Sequence, residues 1–145
     1  QLDRFLMRIE LGYPDAQAER ALLQGQDRRD LLDNMQACMN PQELEGLQAE
    51  AGTVHTAAAL LDYVQALISH TRNSPEFSSG LSPRAALALL HAARAWALMD
   101  DRRHTVPEDV QAVLAAVVGH RLVPAHDGMR GNELAAHLIK QVAIP

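Results

Sequence analysis

The 145-residue chain is 48% hydrophobic but only 3% aromatic, so its core must be built mainly from Leu, Ala, Val, Ile and Met. Ala and Leu are strong helix formers and β-branched residues are sparse, which predicts an all-α bundle of about five to seven helices. The formal net charge of −5 argues against a face that binds nucleic acid, and the single cysteine excludes an internal disulfide.

The sequence predicts neither a membrane-spanning nor a secreted protein. The longest apolar runs, such as residues 113–118, are far too short to cross a bilayer, and no signal peptide is expected. The reducing cytoplasm is the expected compartment, where Cys38 would serve as a small core residue. Because the chain has no initiator Met and begins within predicted structure, we expect it to be part of a longer protein.

The first predicted element is a single strand at residues 5–11, the only segment in which apolar and polar residues clearly alternate. Its apolar side consists of Phe5, Met7, Ile9 and Leu11. A lone strand cannot satisfy its own backbone hydrogen-bonding groups. Either its partner strands lie outside the chain, or the segment is not a strand here; if the sheet is absent, we expect pairing or collapse rather than disorder.

Caps and apolar residues at helical spacing predict seven helices after this strand. They span residues 15–24, 30–39, 40–51, 56–71, 82–99, 105–119 and about 134–142. Thr105 and Glu108 fit a capping box at the start of the sixth. The clearest apolar stripes lie on the fourth and fifth helices and consist of Leu60, Tyr63, Val64, Leu67 and Ile68 on one and Ala86, Leu89, Leu90, Ala93, Trp96 and Ala97 on the other.

Several complete catalytic motifs are missing from the sequence. The only lysine, Lys140, stands outside any G-K-[ST] motif, so the chain has no P-loop. The segment GLSPR at residues 80–84 lacks the second glycine of a serine-hydrolase elbow. No two of the seven histidines are four residues apart, so no metal site is expected.

Two arginines stand out by their positions. Arg84 follows Ser82 and Pro83 in the first turn of the longest predicted helix, where a basic residue is locally unfavourable because the helix N-terminus is already partly positive. With an anion added, free N–H groups and a guanidinium would form a phosphate site. The alternative is an exposed arginine that pairs with Glu76 or with solvent. Arg4, directly before the predicted strand, has by pattern alone no assigned role.

Two other arginine pairs are expected to be solvated. Arg28–Arg29 and Arg102–Arg103 each stand beside aspartates in predicted loops, and we assign them no site.

The order of several motifs resembles one known family. LDRF at residues 2–5, an apolar segment, GYPD at 12–15 and a helix with Glu19 resemble the junction between core and lid in MoxR-type AAA+ ATPases. The later segments similar to that lid are LLDYV at 60–64, TR at 71–72, GLSPRA at 80–85, AARA at 92–95, VPEDV at 106–110 and HRL at 120–122. LDRF and GLSPRA are the specific parts. Leu81 and Val106 depart from the residues that such lids often have, Ala and Thr.

The resemblance implies a role for each part of the chain. Residues 1–12 would be a remnant of the AAA+ core, and residues 13–145 the helical lid domain. Arg84 would be the sensor-2 arginine that contacts the terminal phosphate of a nucleotide, with Ser82 beside it. Arg4 would be the arginine finger that reaches the nucleotide of a neighbouring subunit. Arginine suits both roles because its guanidinium is planar, always charged and able to stabilise a transferring phosphoryl group.

The resemblance also implies a function for the longer protein. It would use ATP and Mg²⁺ and couple hydrolysis to chaperone-like remodelling or maturation of partner proteins, often proteins with von Willebrand A domains. The lid would contact its own AAA+ core and neighbouring subunits of a ring, usually of six. No contact with nucleic acid, no membrane insertion and no metal ligand in this chain are expected. The fragment alone, without Walker A and B segments, would be inactive.

Two other functions compete with this reading. A transcriptional regulator is disfavoured by the acidic charge and by the lack of a basic recognition helix. A non-enzymatic helical adaptor or interaction domain stays open, because an isolated lid has the same general properties as an adaptor.

Overall fold

A computed structural model describes residues 2–25, 32, 34–126, 129 and 131–144. Within these ranges the chain is mostly helical, which confirms the all-α class. The helices are α1 (Ala16–Gln24), α2 (Pro41–Thr53), α3 (Ala58–Asn73), α4 (Pro83–Met99), α5 (Pro107–Val118) and α6 (Asn132–Gln141). A 3-10 turn at Leu2–Arg4 precedes them. Two short antiparallel strands, β1 (Phe77–Ser79) and β2 (Val123–Pro124), join the loop after α3 to the loop after α5.

The core lies between α3, α4, α5 and α6. The predicted stripe on α3 is confirmed, since all five of its apolar residues are buried. The stripe on α4 is partly wrong: Trp96 is 47% exposed, and the buried face consists largely of alanines, namely Ala85, Ala88, Ala92, Ala93 and Ala97 together with Leu89. Small residues let the α4 backbone approach α5 closely, which leaves the indole ring no room on that side.

Helices α1 and α2 lie outside this core, and neither contains a buried residue. Their predicted caps are confirmed. The Asp15 carboxylate accepts a hydrogen bond from the Ala18 N–H at 2.7 Å, and Asn40 with Glu43 forms a reciprocal capping box.

The helix predicted at residues 30–39 is tested only in part. Residues 30, 31 and 33 lie outside the described part of the chain, Leu32 is helical, and residues 35–39 are not, so the predicted C-terminal half is wrong. Cys38 is exposed, so its interpretation as a core residue is wrong.

The strand predicted at residues 5–11 is also wrong, because this segment forms no sheet pairing. Met7 packs against the core, and the Arg8 N–H donates a hydrogen bond to the Ala116 carbonyl at 2.8 Å. Ile9 and Leu11 are 70% and 94% exposed. Alternating apolar residues do not make a strand when no edge is available to accept the backbone hydrogen bonds, and the expected collapse is limited to one side chain.

None of the helices in the described ranges combines the length and the hydropathy that a membrane span requires.

Candidate functional site

The end of α3 fixes the path by which the chain enters α4. Thr71, which is buried, donates its hydroxyl hydrogen to the Ile68 carbonyl at 2.7 Å and accepts the Leu81 N–H at 3.1 Å. The neighbouring Arg72 donates from Nε to the Leu81 carbonyl at 2.8 Å. Both polar groups of the Leu81 backbone are therefore held by consecutive residues of α3, and the first turn of α4 is positioned accordingly.

Gly80 lies where an added side chain would force neighbouring atoms to shift. A Cβ atom at this position would be 2.7 Å from the Cα and Cγ atoms of Arg72 and 2.9 Å from its backbone nitrogen. The glycine of the GLSPR segment is thus required by a close approach of two backbones rather than by an unusual φ angle.

We expect Gly80→Ala to lower the free energy of unfolding by about 1–3 kcal/mol, because the new methyl group would push against backbone atoms that the Leu81 hydrogen bonds hold in place. Urea unfolding measures the loss. Gly46→Ala is the matched control: it lies inside α2 with nothing within 4 Å of an added Cβ, and alanine there should stabilise the helix by about 0.5–1 kcal/mol. Equal stability of Gly80→Ala and the parent chain would contradict the close approach.

Ser82 caps α4, and its hydroxyl group is fully used. The oxygen accepts the Ala85 N–H at 3.1 Å, and the hydroxyl hydrogen points to the Asp3 carboxylate, whose two oxygens both lie 3.1 Å away. Pro83 occupies the first helical position, as its missing N–H favours. The N-terminal 3-10 turn and the start of α4 are thus brought together through Asp3 and Ser82.

Arg84 is exposed in the first turn of this 17-residue helix. Within the described ranges its guanidinium has no hydrogen bond or ion pair. The alternative pairing with Glu76 is wrong, because the Glu76 carboxylate contacts His137 Nε2 at 3.0 Å. That hydrogen bond, more than the nearby His137 charge, lowers the pKa of Glu76. Arg84 is therefore a cation at a helix N-terminus that forms no ion pair in the part of the chain that is described, where the Asp3 carboxylate at the same helix end pairs with Arg121.

Arg4 ends the 3-10 turn and is likewise exposed, with no side-chain partner among the described residues. The turn packs against α4. Arg4 directly follows Asp3, and Arg84 is two residues beyond Ser82, so the contact between Asp3 and Ser82 places both arginine-bearing segments at the same end of α4.

Arg121 is the residue of this region whose role the sequence did not reveal. Its side chain is only 3% exposed, just after α5. It donates from Nε to Asp3 Oδ1 at 3.1 Å, from Nη1 to the Leu6 carbonyl at 3.0 Å and from Nη2 to the Asp3 carbonyl at 3.2 Å. It also contacts the carbonyls of Phe5 and Val117. In the sequence, Arg121 was noted only as part of the HRL segment that resembles the lid family. Helical periodicity cannot show which distant carbonyls an arginine side chain will contact.

An apolar groove of about 440 Å³ runs between α3 and α4 beside this region. Its walls are mostly aliphatic, and its lining includes Arg72 and Pro83, the residue before Arg84. The residues that supply the aliphatic walls are Leu61, Val64, Ile68, Ala86, Leu87 and Leu90.

A second polar cluster lies at the other end of α4, where the sequence interpretation needs two corrections. Arg102 is not solvated: its guanidinium binds the buried Asp109 carboxylate in a bidentate ion pair, with one N–O distance of 2.7 Å. Asp109 also accepts the Val106 N–H at 2.8 Å, so it takes the capping role predicted for Glu108. Thr105, the predicted cap partner, instead contacts His55 and Thr56.

The protonation of this ion pair is set by competing effects. Burial raises the pKa of Asp109, but hydrogen bonds from Arg102 and from the Val106 N–H outweigh burial, so the pKa is lower than usual. The same pairing, chiefly through the Asp109 hydrogen bond, raises the pKa of Arg102.

The other arginine pair predicted to be solvated, Arg28 and Arg29, lies outside the described residues. In the ranges that are described, no three His, Cys, Asp or Glu side chains come together as metal ligands would.

Comparison with known proteins gives consistent matches. Residues 69–141 match the AAA lid domain family. The chain is 30% identical over 159 residues to chaperone MoxR1 of Mycobacterium tuberculosis, with all of this chain and 41% of that protein covered. It is 34% identical over 150 residues to protein MoxR of Paracoccus denitrificans, with 88% of this chain and 44% of that protein covered. It is 27% identical over 149 residues to the uncharacterized protein YeaC of Bacillus subtilis, with all of this chain and 47% of that protein covered.

A solved structure shows the same fold. A crystal structure from Cytophaga hutchinsonii, of a protein whose name marks it as an ATPase, superposes with a TM-score of 0.82 at 24% identity. The match covers 99% of this chain and 48% of that one. The chain thus spans less than half the length of each of these relatives.

Proposed function

Because the chain belongs to the AAA lid domain family, we propose that it is the lid of a longer cytoplasmic AAA+ ATPase and that Arg84 contacts the terminal phosphate of the bound nucleotide. Residues 1–12 would then belong to the AAA+ core, with the arginine-finger segment, and residues 13–145 to the lid.

The observation that carries this proposal is the isolation of Arg84. A guanidinium in the first turn of a long helix adds charge to an end that is already partly positive, and it has no acidic partner in the described part of the chain. Such an arrangement is unfavourable by itself and becomes favourable when an anion binds. A phosphate group fits these requirements, because it accepts hydrogen bonds from a guanidinium in a bidentate manner.

The surroundings of Arg84 also fit a nucleotide. The apolar groove between α3 and α4 offers aliphatic surface beside the cationic helix end, so an apolar and an anionic part of one ligand could both be accommodated. Ser82 supports the site as the N-cap that sets the first turn. Its hydroxyl would contact a phosphate only if it released Asp3.

Both arginines act on bound nucleotide in this proposal. Arg84 contacts the terminal phosphate, and Arg4 reaches the nucleotide of the adjacent subunit in a ring, for which we propose six members. Bound ATP with Mg²⁺ would supply the phosphoryl group and the free energy of its hydrolysis. The residues that hold Mg²⁺ and the triphosphate are assigned to the core, since the lid contributes no P-loop.

We further propose that hydrolysis drives chaperone-like remodelling or maturation of partner proteins, including proteins with von Willebrand A domains. One relative carries the word chaperone in its name, and the exposed faces of α1 and α2 leave surface for contacts with other parts of such an assembly.

We expect the full-length protein to hydrolyse ATP in a Mg²⁺-dependent reaction and the 145-residue chain neither to hydrolyse ATP nor to bind it tightly. A phosphate assay on both proteins and calorimetric titration of the chain with ATP measure this. Micromolar affinity of the chain alone would contradict the division of roles between core and lid. A full-length protein without ATPase activity would favour the helical adaptor instead.

A further inference from the structure

The N-terminal segment is attached to the bundle almost entirely by polar contacts. Leu2, Phe5 and Leu6 are each more than half exposed, so little hydrophobic burial holds residues 2–6 in place. Most of the polar contacts come from the Arg121 guanidinium, which directs four of its five contacts at Asp3, Phe5 and Leu6; His120 Nε2 also lies 3.2 Å from the Phe5 carbonyl. The buried Arg121 side chain donates most of its hydrogen bonds to an exposed segment. Its main effect is therefore to fix the position of that segment rather than to stabilise the core.

Asp3 continues the chain of contacts on its other side. Its carboxylate accepts hydrogen bonds from Arg121 Nε and from the Ser82 hydroxyl, each at 3.1 Å. Asp3 thus neutralises a buried guanidinium and at the same time fixes the N-cap of α4. Any displacement of Asp3 would disturb both contacts, so the 3-10 turn, α4 and the end of α5 are linked through a single carboxylate.

We propose that Asp3 and Arg121 are positioning residues that keep Arg4 in a fixed spatial relation to Arg84. This proposal rests on the proposed function, in which both arginines act on bound nucleotide. The Asp3–Arg121 pair and the Asp3–Ser82 hydrogen bond hold the arginine-finger segment against the first turn of α4, so the spacing between the two guanidinium groups depends on these contacts. Neither positioning residue touches a nucleotide.

The test is a double-mutant cycle on ATP turnover of the full-length protein. Asp3→Ala removes the carboxylate, and Arg121→Lys keeps the charge but loses the fork that reaches several carbonyls. Each is expected to lower kcat by about fivefold or more with KM changed less than about twofold. When Arg4 is already replaced by Ala, the same substitutions should lower kcat by less than about twofold, because the finger they position is gone.

A matched control comes from the same segment. Arg8→Gln removes an exposed ion pair with Glu10 but leaves the backbone contact of Arg8 intact, and turnover should be unchanged. Asp3 is about half exposed, so its replacement tests the proposal even if Arg121→Lys does not fold.

The outcomes separate the two hypotheses. Equal losses of kcat with and without Arg4 would show a general structural effect and overturn the positioning role, while the proposed ATPase function would stand. Unchanged turnover of Arg4→Ala would overturn the finger assignment and the positioning role together. A drop in turnover for Arg4→Ala with no effect of Asp3→Ala would overturn the positioning role alone.

Discussion

Arg84→Ala in the full-length protein is expected to lower ATP turnover by at least about tenfold, since arginines that stabilise charge in phosphoryl transfer contribute factors of that size or larger. The stability of the lid should not fall. The side chain is exposed and has no partner in the described ranges. Its removal also relieves a repulsion of about 0.3–1 kcal/mol with the helix dipole.

Two measurements separate a role at the nucleotide from a structural one. The turnover of the variant is compared with that of Arg103→Ala, an exposed arginine beyond the opposite end of α4 that pairs with Glu50 on the surface. Thermal unfolding of the corresponding 145-residue chains reports stability. Normal turnover of Arg84→Ala with an unchanged melting curve would return Arg84 to the class of solvated surface residues.

The second large effect is expected at the opposite end of α4. Asp109→Ala should lower the free energy of unfolding by about 2–4 kcal/mol, because it removes the cap of α5 and leaves the Arg102 guanidinium without its buried partner. Asp109 is 1% exposed, so water cannot replace the carboxylate. Urea unfolding followed by Trp96 fluorescence measures the change.

Glu108→Ala is the control for this substitution. Glu108 is exposed in the same helical turn and has no side-chain partner within the described ranges, so its loss should cost only about 0.3–1 kcal/mol through the helix dipole. A larger loss for Glu108→Ala than for Asp109→Ala would support the capping box predicted from sequence over the one in the structure.

Acid should remove the Asp109 contribution. Its pKa is lowered in the folded chain, so the stabilisation is present above the ordinary aspartate pKa of about 3.9 and is lost as pH falls through the lower folded-state value. The difference in stability between the parent chain and Asp109→Ala should therefore be constant near neutral pH and shrink below roughly pH 4. A constant difference down to strongly acidic pH would contradict the ionised state of Asp109.

Features that depend on local sequence were predicted well. The caps at Asp15, Asn40 and Ser82 and the buried face of α3 follow from residues within one or two helical turns of each other. The resemblance of the chain to a MoxR-type AAA+ lid is confirmed by the family match over residues 69–141 and by the relatives. Within GLSPRA, Gly80 is needed because its backbone lies close to Arg72.

Features set by distant partners were not predictable. Alternation at residues 5–11 predicts a strand only if another strand is available, and in this chain Arg121 and Ala116 take up the backbone groups instead. Arg102 looked solvated because its neighbours in sequence are charged, whereas its partner Asp109 lies in the first turn of α5, seven residues further along the chain. Which side of α4 is buried depended on how closely α5 could approach, so the exposed position of Trp96 could not be derived from spacing alone.

Helix α1 will unfold independently of the rest of the isolated chain. It has nine residues and buries none of them, and helices this short are marginal in water without tertiary contacts. Far-UV circular dichroism, which counts every helical residue, will therefore begin to decline before the fluorescence of Trp96, the only tryptophan, reports any change in α4. The two transitions will not coincide, and a free energy obtained from fluorescence will belong to the α3–α6 core rather than to all 145 residues.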